Sequence, residues 1–125
     1  MTRDPRKLRV FNAADSLVLD IYHVTQGFPP EERYGLQAQL RRAAVSVAAN
    51  IVEGCARDPE AEYVNFLNIA TGSCAETRYL LDIAHRLGML PTKTFARIYE
   101  SYTDLFKGLQ ALVNSLRPRP RRMRG

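Results

Sequence analysis

The sequence predicts an all-α fold, an antiparallel up-down-up-down four-helix bundle that assembles with copies of itself. Three observations carry that reading. Four segments repeat apolar residues at three- and four-residue spacing. Proline and glycine punctuate the short connections between them, and short connections favour antiparallel neighbours. No stretch sustains a period-two alternation, and no Asn-Gly or Asp-Gly hairpin turn is present.

The first helix is expected from about Arg6 to Gln26, with Val10, Ala14, Leu17, Val18 and Ile21 on one face. Gly27 suits its end and Pro29-Pro30 cannot continue it. Leu19 falls on the polar side, as a lone exposed leucine or part of a subunit contact. The second helix is expected from near Pro30 to about Gly54. Glu31 and Glu32 sit at the positive end of its dipole, and Gly35 loosens its first turns. Asp58 is expected to cap the third, with Pro59 in its first turn; its apolar face runs Tyr63, Phe66, Leu67, Ala70, Cys74, Thr77, Leu81 and Ala84, and Gly88 ends it. The fourth opens after Pro91 with Thr92 as its cap. Phe95, Ile98, Tyr99, Tyr102, Leu105, Phe106, Leu109, Leu112, Val113 and Leu116 form its apolar stripe, which stops before Pro118.

The second helix departs from simple amphipathicity. From Leu36 to Val52 its apolar residues cover roughly two-thirds of the circumference at about 100° per residue, where an outer bundle helix needs nearer one-third. Such a helix needs cover on more than one side. Ala43, Ala44, Ser46, Ala48 and Ala49 allow close approach, and a second copy of the chain is the simplest cover. Its polar residues are ordered too. Arg42, Ser46, Asn50 and Glu53 follow spacings of four, four and three and line one narrow face. Arg42 could hold a phosphate with Ser46 and Asn50 as donors. The pattern favours an internal polar network instead, since no catalytic pair or glycine-rich phosphate loop accompanies it. Arg42 and Glu53 lie about 16 Å apart along the axis, too far for a direct ion pair.

With 125 residues the chain fits one domain, expected over residues 1–116 with a tail at 117–125. No apolar run reaches the roughly 18 residues of a membrane helix, and a cytoplasmic location without membrane contact is expected. Cys55 and Cys74 form no CxxC pair and read as reduced, packed thiols. His23 and His85 lack neighbours at ligand spacing, so neither a metal nor another cofactor is expected. The net charge of +5 is uneven. Arg3, Arg6, Lys7 and Arg9 face only Asp4 in residues 1–9, and residues 117–125 carry five arginines and no acid. Residues 10–116 hold nine basic and twelve acidic side chains, so the folded body is net acidic.

Residues 28–54 read FPPEERYGLQAQLRRAAVSVAANIVEG, and the third segment reads EYVNFLNIATGSCAETRYLLDIAHRLGML. Both resemble the four-helix-bundle proteins encoded in intervening sequences of bacterial 23S ribosomal RNA genes, and the resemblance extends over about residues 8–116. It implies a left-handed antiparallel bundle in a cyclic homo-oligomer, with a pentamer as the expected form. A related branch comprises accessory proteins of diversity-generating retroelements, basic barrels that bind a reverse transcriptase and nucleic acid. The net acidic body here departs from that branch. The resemblance supplies no catalytic residues; Arg41, Arg42, Ser46, Asn50, Glu53 and Gly54 match the family signature without an assigned role.

The tail offers Arg117, Arg119, Arg121, Arg122 and Arg124 among prolines, an extended and disordered segment by expectation. Arginines of this kind pair with phosphates and release counterions, and several tails displayed on one ring would gain avidity. No aromatic residue is interleaved with them, so base readout through the tail is not indicated. Both termini emerge at one end of an even-numbered antiparallel bundle, which would bring Arg6, Lys7 and Arg9 to the same place. The expected function is a non-enzymatic oligomeric scaffold that engages RNA or DNA through basic termini, with a protein partner such as a nucleic-acid enzyme. The alternative is a protein-interaction scaffold without nucleic acid. An enzyme is not expected, for lack of a paired Glu-x-x-His motif, a Ser/His/Asp arrangement or a phosphate loop.

Overall fold

The computed structural model describes residues 2–117, and every regular element among them is helical. The four long helices are α1 (Arg9–Thr25), α2 (Leu36–Cys55), α3 (Glu60–Arg86) and α4 (Thr92–Leu116). The disordered tail expected at residues 117–125 lies, beyond Arg117, outside the described residues.

Two helices start later than their apolar spacing suggests. Ahead of α1, Asp4 Oδ1 accepts from the Arg6 N–H at 3.0 Å, and Pro5–Lys7 forms a 3₁₀ turn. Leu8 then straightens before α1 begins. A side chain that satisfies a free backbone donor holds a local turn against the helix. Ahead of α2, Pro30–Glu32 forms a second 3₁₀ turn. The Glu32 carboxylate reaches forward and accepts from the Leu36 N–H at 2.8 Å, which caps α2. A Cβ on Gly35 would stand 2.8 Å from that carboxylate oxygen, so glycine leaves room for the cap.

Prolines mark the starts of the other two. Pro59 and Pro91 take the cap positions of α3 and α4, so Asp58 lies one residue ahead of the α3 cap and Thr92 is the first helical residue of α4 rather than its cap. Glu60 and Glu62 favour the positive end of α3. Gly88 ends the α3 turn at φ +79°. There the Met89 N–H donates to Ala84 O and the Gly88 N–H to His85 O, each at 2.9 Å, closing the last turn of the helix.

Each helix packs on its neighbours in the chain, and α4 returns against α1. The α2–α3 contact is the most extensive and the α1–α4 contact the slightest. Small residues explain the tight seam: Ala43, Ala44, Gly54 and Ala70 are buried there or in the adjoining core. A Cβ on Gly54 would lie 3.0 Å from Phe66 Cβ. Between α1 and α4, by contrast, a concavity of about 390 Å³ opens over Val10, Leu17 and Leu105. The core includes Ile21, Leu40, Val47, Ile51, Leu67, Leu81, Ile98, Tyr102 and Leu109, all without exposure. Burying one such side chain stabilises by about 1.5–3 kcal/mol. Among the described residues, no helix is long and apolar enough to cross a membrane.

The wide apolar perimeter of α2 is only partly covered. Leu36, Leu40, Ala43, Ala44, Val47 and Ile51 are buried. Val45 and Val52 stay 40% and 43% exposed, and Ala49 between them is exposed as well. At 100° per residue these three share one ridge opposite the core.

Candidate nucleic-acid interface

The polar residues of α2 divide into three environments. Ser46 Oγ lies 2.7 Å from Ser73 Oγ on α3, and Asn50 Nδ2 donates to Ser46 O at 2.8 Å and to Ser46 Oγ at 3.1 Å. This half-buried cluster ties α2 to α3 and takes in two of the four residues that the spacing placed on one face. Glu53 instead pairs with Arg57 one turn on, at 3.5 Å, on the surface, where such a pair contributes about 0.3–0.5 kcal/mol. Arg42 is exposed and forms no ion pair or hydrogen bond among the described residues.

Arg41 belongs to the opposite seam. Its Nε donates to Thr25 Oγ1 at 2.9 Å and its Nη2 to Tyr22 O at 3.3 Å, while the guanidinium lies 4.5 Å from the Tyr22 ring centre. With the Gln37 amide oxygen turned toward it, Arg41 Nη2 has a further acceptor at 2.9 Å. Thr25 itself is fully buried and donates to Ile21 O at 2.6 Å. Adjacent arginines thus serve different neighbours, because one residue step turns a helical side chain by about 100°.

The basic N-terminal segment is folded onto the bundle. The Arg3 N–H donates to Cys55 O at 2.8 Å, Arg3 Nη1 to Arg57 O at 3.0 Å, and its guanidinium lies 3.9 Å over the Tyr63 ring. Arg6 faces Asp4 at 3.6 Å. Lys7 and Arg9 are exposed, without ion pairs among the described residues. Arg117 is exposed at the end of α4. Arg119, Arg121, Arg122 and Arg124 lie outside the described residues.

No catalytic arrangement is built from the thiols. Burial pushes Cys74 up to about 12, against the opposing pull of Arg78, and Cys74 Sγ donates to Tyr102 O at 3.3 Å. Burial raises the Cys55 thiol too. Both are free, buried and held in the protonated, weakly nucleophilic form. Among the described residues no group of three His, Cys, Asp or Glu side chains could hold a metal. His85 stacks on Phe95 with ring centres 4.2 Å apart, and its Nε2 sits 3.1 Å from Thr92 Oγ1, a contact between the end of α3 and the start of α4.

A cluster that the sequence reasoning passed over lies where α1 ends and α2 begins. Tyr22 comes from α1, Arg33 and Tyr34 from the connection, and Arg41, Arg42 and Val45 from α2; they surround a concavity of about 560 Å³ that borders the exposed α2 ridge at Val45. Residues this far apart in the chain carry no common spacing. The available signal was the RY dipeptide in the connection, an exposed aromatic beside a cation.

Four helices around one core define an all-α protein of the four-helix kind. The chain belongs to the 23S rRNA-intervening sequence protein family, whose family model matches residues 6–111. A solved structure from Bacteroides thetaiotaomicron, a protein of unknown function from the S23 ribosomal protein family, has the same fold. The TM-score is 0.78 at 24% identity, over 84% of this chain and 95% of that one. Comparison with curated proteins finds no match. The family match stops short of Arg117 and the arginines beyond it.

Proposed function

We propose that the chain is a non-enzymatic scaffold that assembles as a cyclic homo-oligomer, a pentamer in its expected form, and engages RNA or DNA through its basic termini. The observation that carries the assembly is the exposed ridge of Val45, Ala49 and Val52 on α2. A ridge of this kind is stabilised when a second copy removes it from water. Gly72 adds support. It stands exposed in the middle of α3, and nothing would lie within 4 Å of a Cβ there. A mid-helix glycine costs about 0.5–1 kcal/mol relative to alanine, a cost with no steric reason among the described residues.

The bundle is read as antiparallel, up-down-up-down and left-handed. Contacts between opposite ends of successive helices support the alternation. Arg3, ahead of α1, meets Cys55 at the end of α2. Gly54, late in α2, meets Tyr63 and Phe66 early in α3, while Ser46 and Ser73 meet at mid-helix, and His85 meets Thr92. Gly108, late in α4, meets Val10, early in α1. That last contact favours a shared end for Lys7, Arg9 and Arg117, where the arginine-rich tail also begins. Phosphates are the anions such a cationic end selects. A protein partner such as a nucleic-acid enzyme fits the role of adaptor, and a cytoplasmic location fits two separate free thiols.

The test joins native mass to a salt titration. A mass several times that of one chain, with RNA affinity that falls steeply with salt and drops on deleting residues 117–125, is the expected result. A single-chain mass at micromolar concentration refutes the assembly. Affinity that ignores salt, or survives the deletion unchanged, refutes the role of the termini. A partner retained equally after nuclease treatment would favour the protein-interaction scaffold.

A further inference from the structure

The concavity between the end of α1 and the start of α2 has a charge arrangement that the fold does not explain. Arg41 is half-buried, and its hydrogen bonds go to Thr25, Tyr22 and Gln37, all of them neutral acceptors. Arg33 and Arg42 stand on the same rim, and none of the three forms an ion pair among the described residues. No aspartate or glutamate lines the concavity. The nearby Glu32 carboxylate is engaged by the Leu36 N–H at 2.8 Å, and Glu76 lines a separate cleft on the other side of Arg42. A fixed, partly desolvated guanidinium with two more beside it makes a local positive potential on a body that is net acidic.

Tyr34 supplies the second, independent observation. Its side chain is 86% exposed, so the core gains almost nothing from it. The Arg33 guanidinium lies 5.5 Å from its ring centre. An open aromatic face next to unpaired arginines is the combination that takes a base by stacking and its phosphate by charge. From these features we infer that this corner is a binding site for single-stranded nucleic acid, with Tyr34 as the stacking platform and Arg33 and Arg42 as the phosphate contacts. Arg41 is a positioning residue: it joins α1 to α2 and holds its charge beneath the site. The site is separate from the basic termini. It rests on the proposed nucleic-acid role for its ligand class and adds to it the means of contacting bases, which the tail lacks.

The test uses the full chain and a fluorescein-labelled ten-nucleotide oligouridylate, read by anisotropy across a salt series, with native mass measured in parallel. Tyr34→Ala is expected to weaken binding at least about fivefold, the loss of one stacked base. Tyr34→Phe retains the ring and is expected to restore it. Arg42→Gln is expected to lower the magnitude of the salt slope by about 0.7, one phosphate contact on a single strand. Native mass stays unchanged in all three. If the wild-type chain binds, Tyr34→Ala binds equally, and only the tail arginines matter, this inference fails while the terminal reading stands. If Tyr34→Ala lowers native mass, the corner is a subunit or protein contact and the inference is overturned. A wild-type chain without affinity for the oligonucleotide overturns both.

Discussion

The Ser46 and Ser73 hydroxyl oxygens stand 2.7 Å apart across the α2–α3 seam. Hydroxyls this close require helices that approach closely, and Gly54, further along α2, meets the Tyr63–Phe66 turn of α3 across the same seam. Asn50 completes the link by donating to Ser46. The cluster therefore sets spacing between two helices as well as satisfying its own polar groups. Ser46→Ala is expected to cost about 1 kcal/mol in urea unfolding, the net worth of a typical hydrogen bond. Ser46→Leu is expected to cost about 1–3 kcal/mol, because added volume forces the seam apart. Equal stability for all three chains would show that the seam does not depend on this contact.

Two glycines separate crowding inside the chain from crowding outside it. A Cβ on Gly54 would meet Phe66 Cβ at 3.0 Å and Tyr63 O at 3.3 Å, and the backbone oxygen cannot swing away. Gly54→Ala is expected to destabilise by about 1–3 kcal/mol. Gly72 has open space around it, so Gly72→Ala is expected to stabilise the isolated fold by about 0.5–1 kcal/mol. A Gly72→Ala chain that is less stable in a dissociated state would contradict this account. A lower native mass in the same variant would place a second copy against α3.

Assembly through α2 makes a direct prediction for its outer ridge. Val45→Glu and Val52→Glu change side chains that are 40% and 43% exposed, so the helical signal in circular dichroism should persist. Their native mass should fall, since a charge in an apolar contact must be desolvated. Sedimentation measurements that return the wild-type mass for both variants would remove α2 as the contact.

The buried thiol gives stability a pH dependence with a definite sign. Cys74 ionises near 9.0 when freely solvated and is pushed up to about 12 by burial in the fold. The folded chain therefore holds this proton more tightly. The contribution is fully present below pH 9 and is lost as pH rises through the window from about 9 to about 12. Burial also raises Tyr102, from an ordinary 10.0, and that acts in the same direction at higher pH. Urea midpoints should hold steady up to about pH 9 and fall above it, with Cys74→Ala showing a shallower decline. Iodoacetamide at pH 8 should leave Cys74 unmodified until the chain is unfolded; rapid modification of the native protein would show that the thiol is accessible.

Local rules recovered the helices and their inward faces because those features repeat along the chain. Of the ten residues of the expected α4 stripe, Ile98, Tyr102, Leu105, Leu109 and Val113 are buried, and Phe95, Tyr99, Phe106, Leu112 and Leu116 pack half-buried against the same core. Gly88 and the prolines mark ends through backbone geometry that needs no distant partner. The delayed start of α2 was less legible. It depends on the Glu32 carboxylate folding forward onto Leu36, and a glutamate near a helix start looks the same whether it caps or merely favours the dipole.

The arrangement of polar groups on α2 was legible by half. Spacing put Ser46 and Asn50 on one face, but their worth depends on Ser73, which is 27 residues beyond Ser46. Spacing also grouped Arg42 and Glu53 with them, although both stay at the surface. Arg41 and Arg42 looked alike as neighbours in a signature, and only the position of α1 made one a link and left the other exposed.

By itself, then, the amino-acid order determined the helical class, the inward faces, the uneven charge and the unusual breadth of the α2 apolar surface. These follow from dihedral preferences and from periods of three to four residues, which act over a few turns. Tertiary structure alone decided which parts of α2 stay uncovered, which serine meets Ser46, and that Tyr22, Tyr34, Arg41 and Arg42 share one concavity. Those outcomes depend on how four rods lie against one another, and contact between distant segments is set by packing and excluded volume rather than by any repeat within a segment.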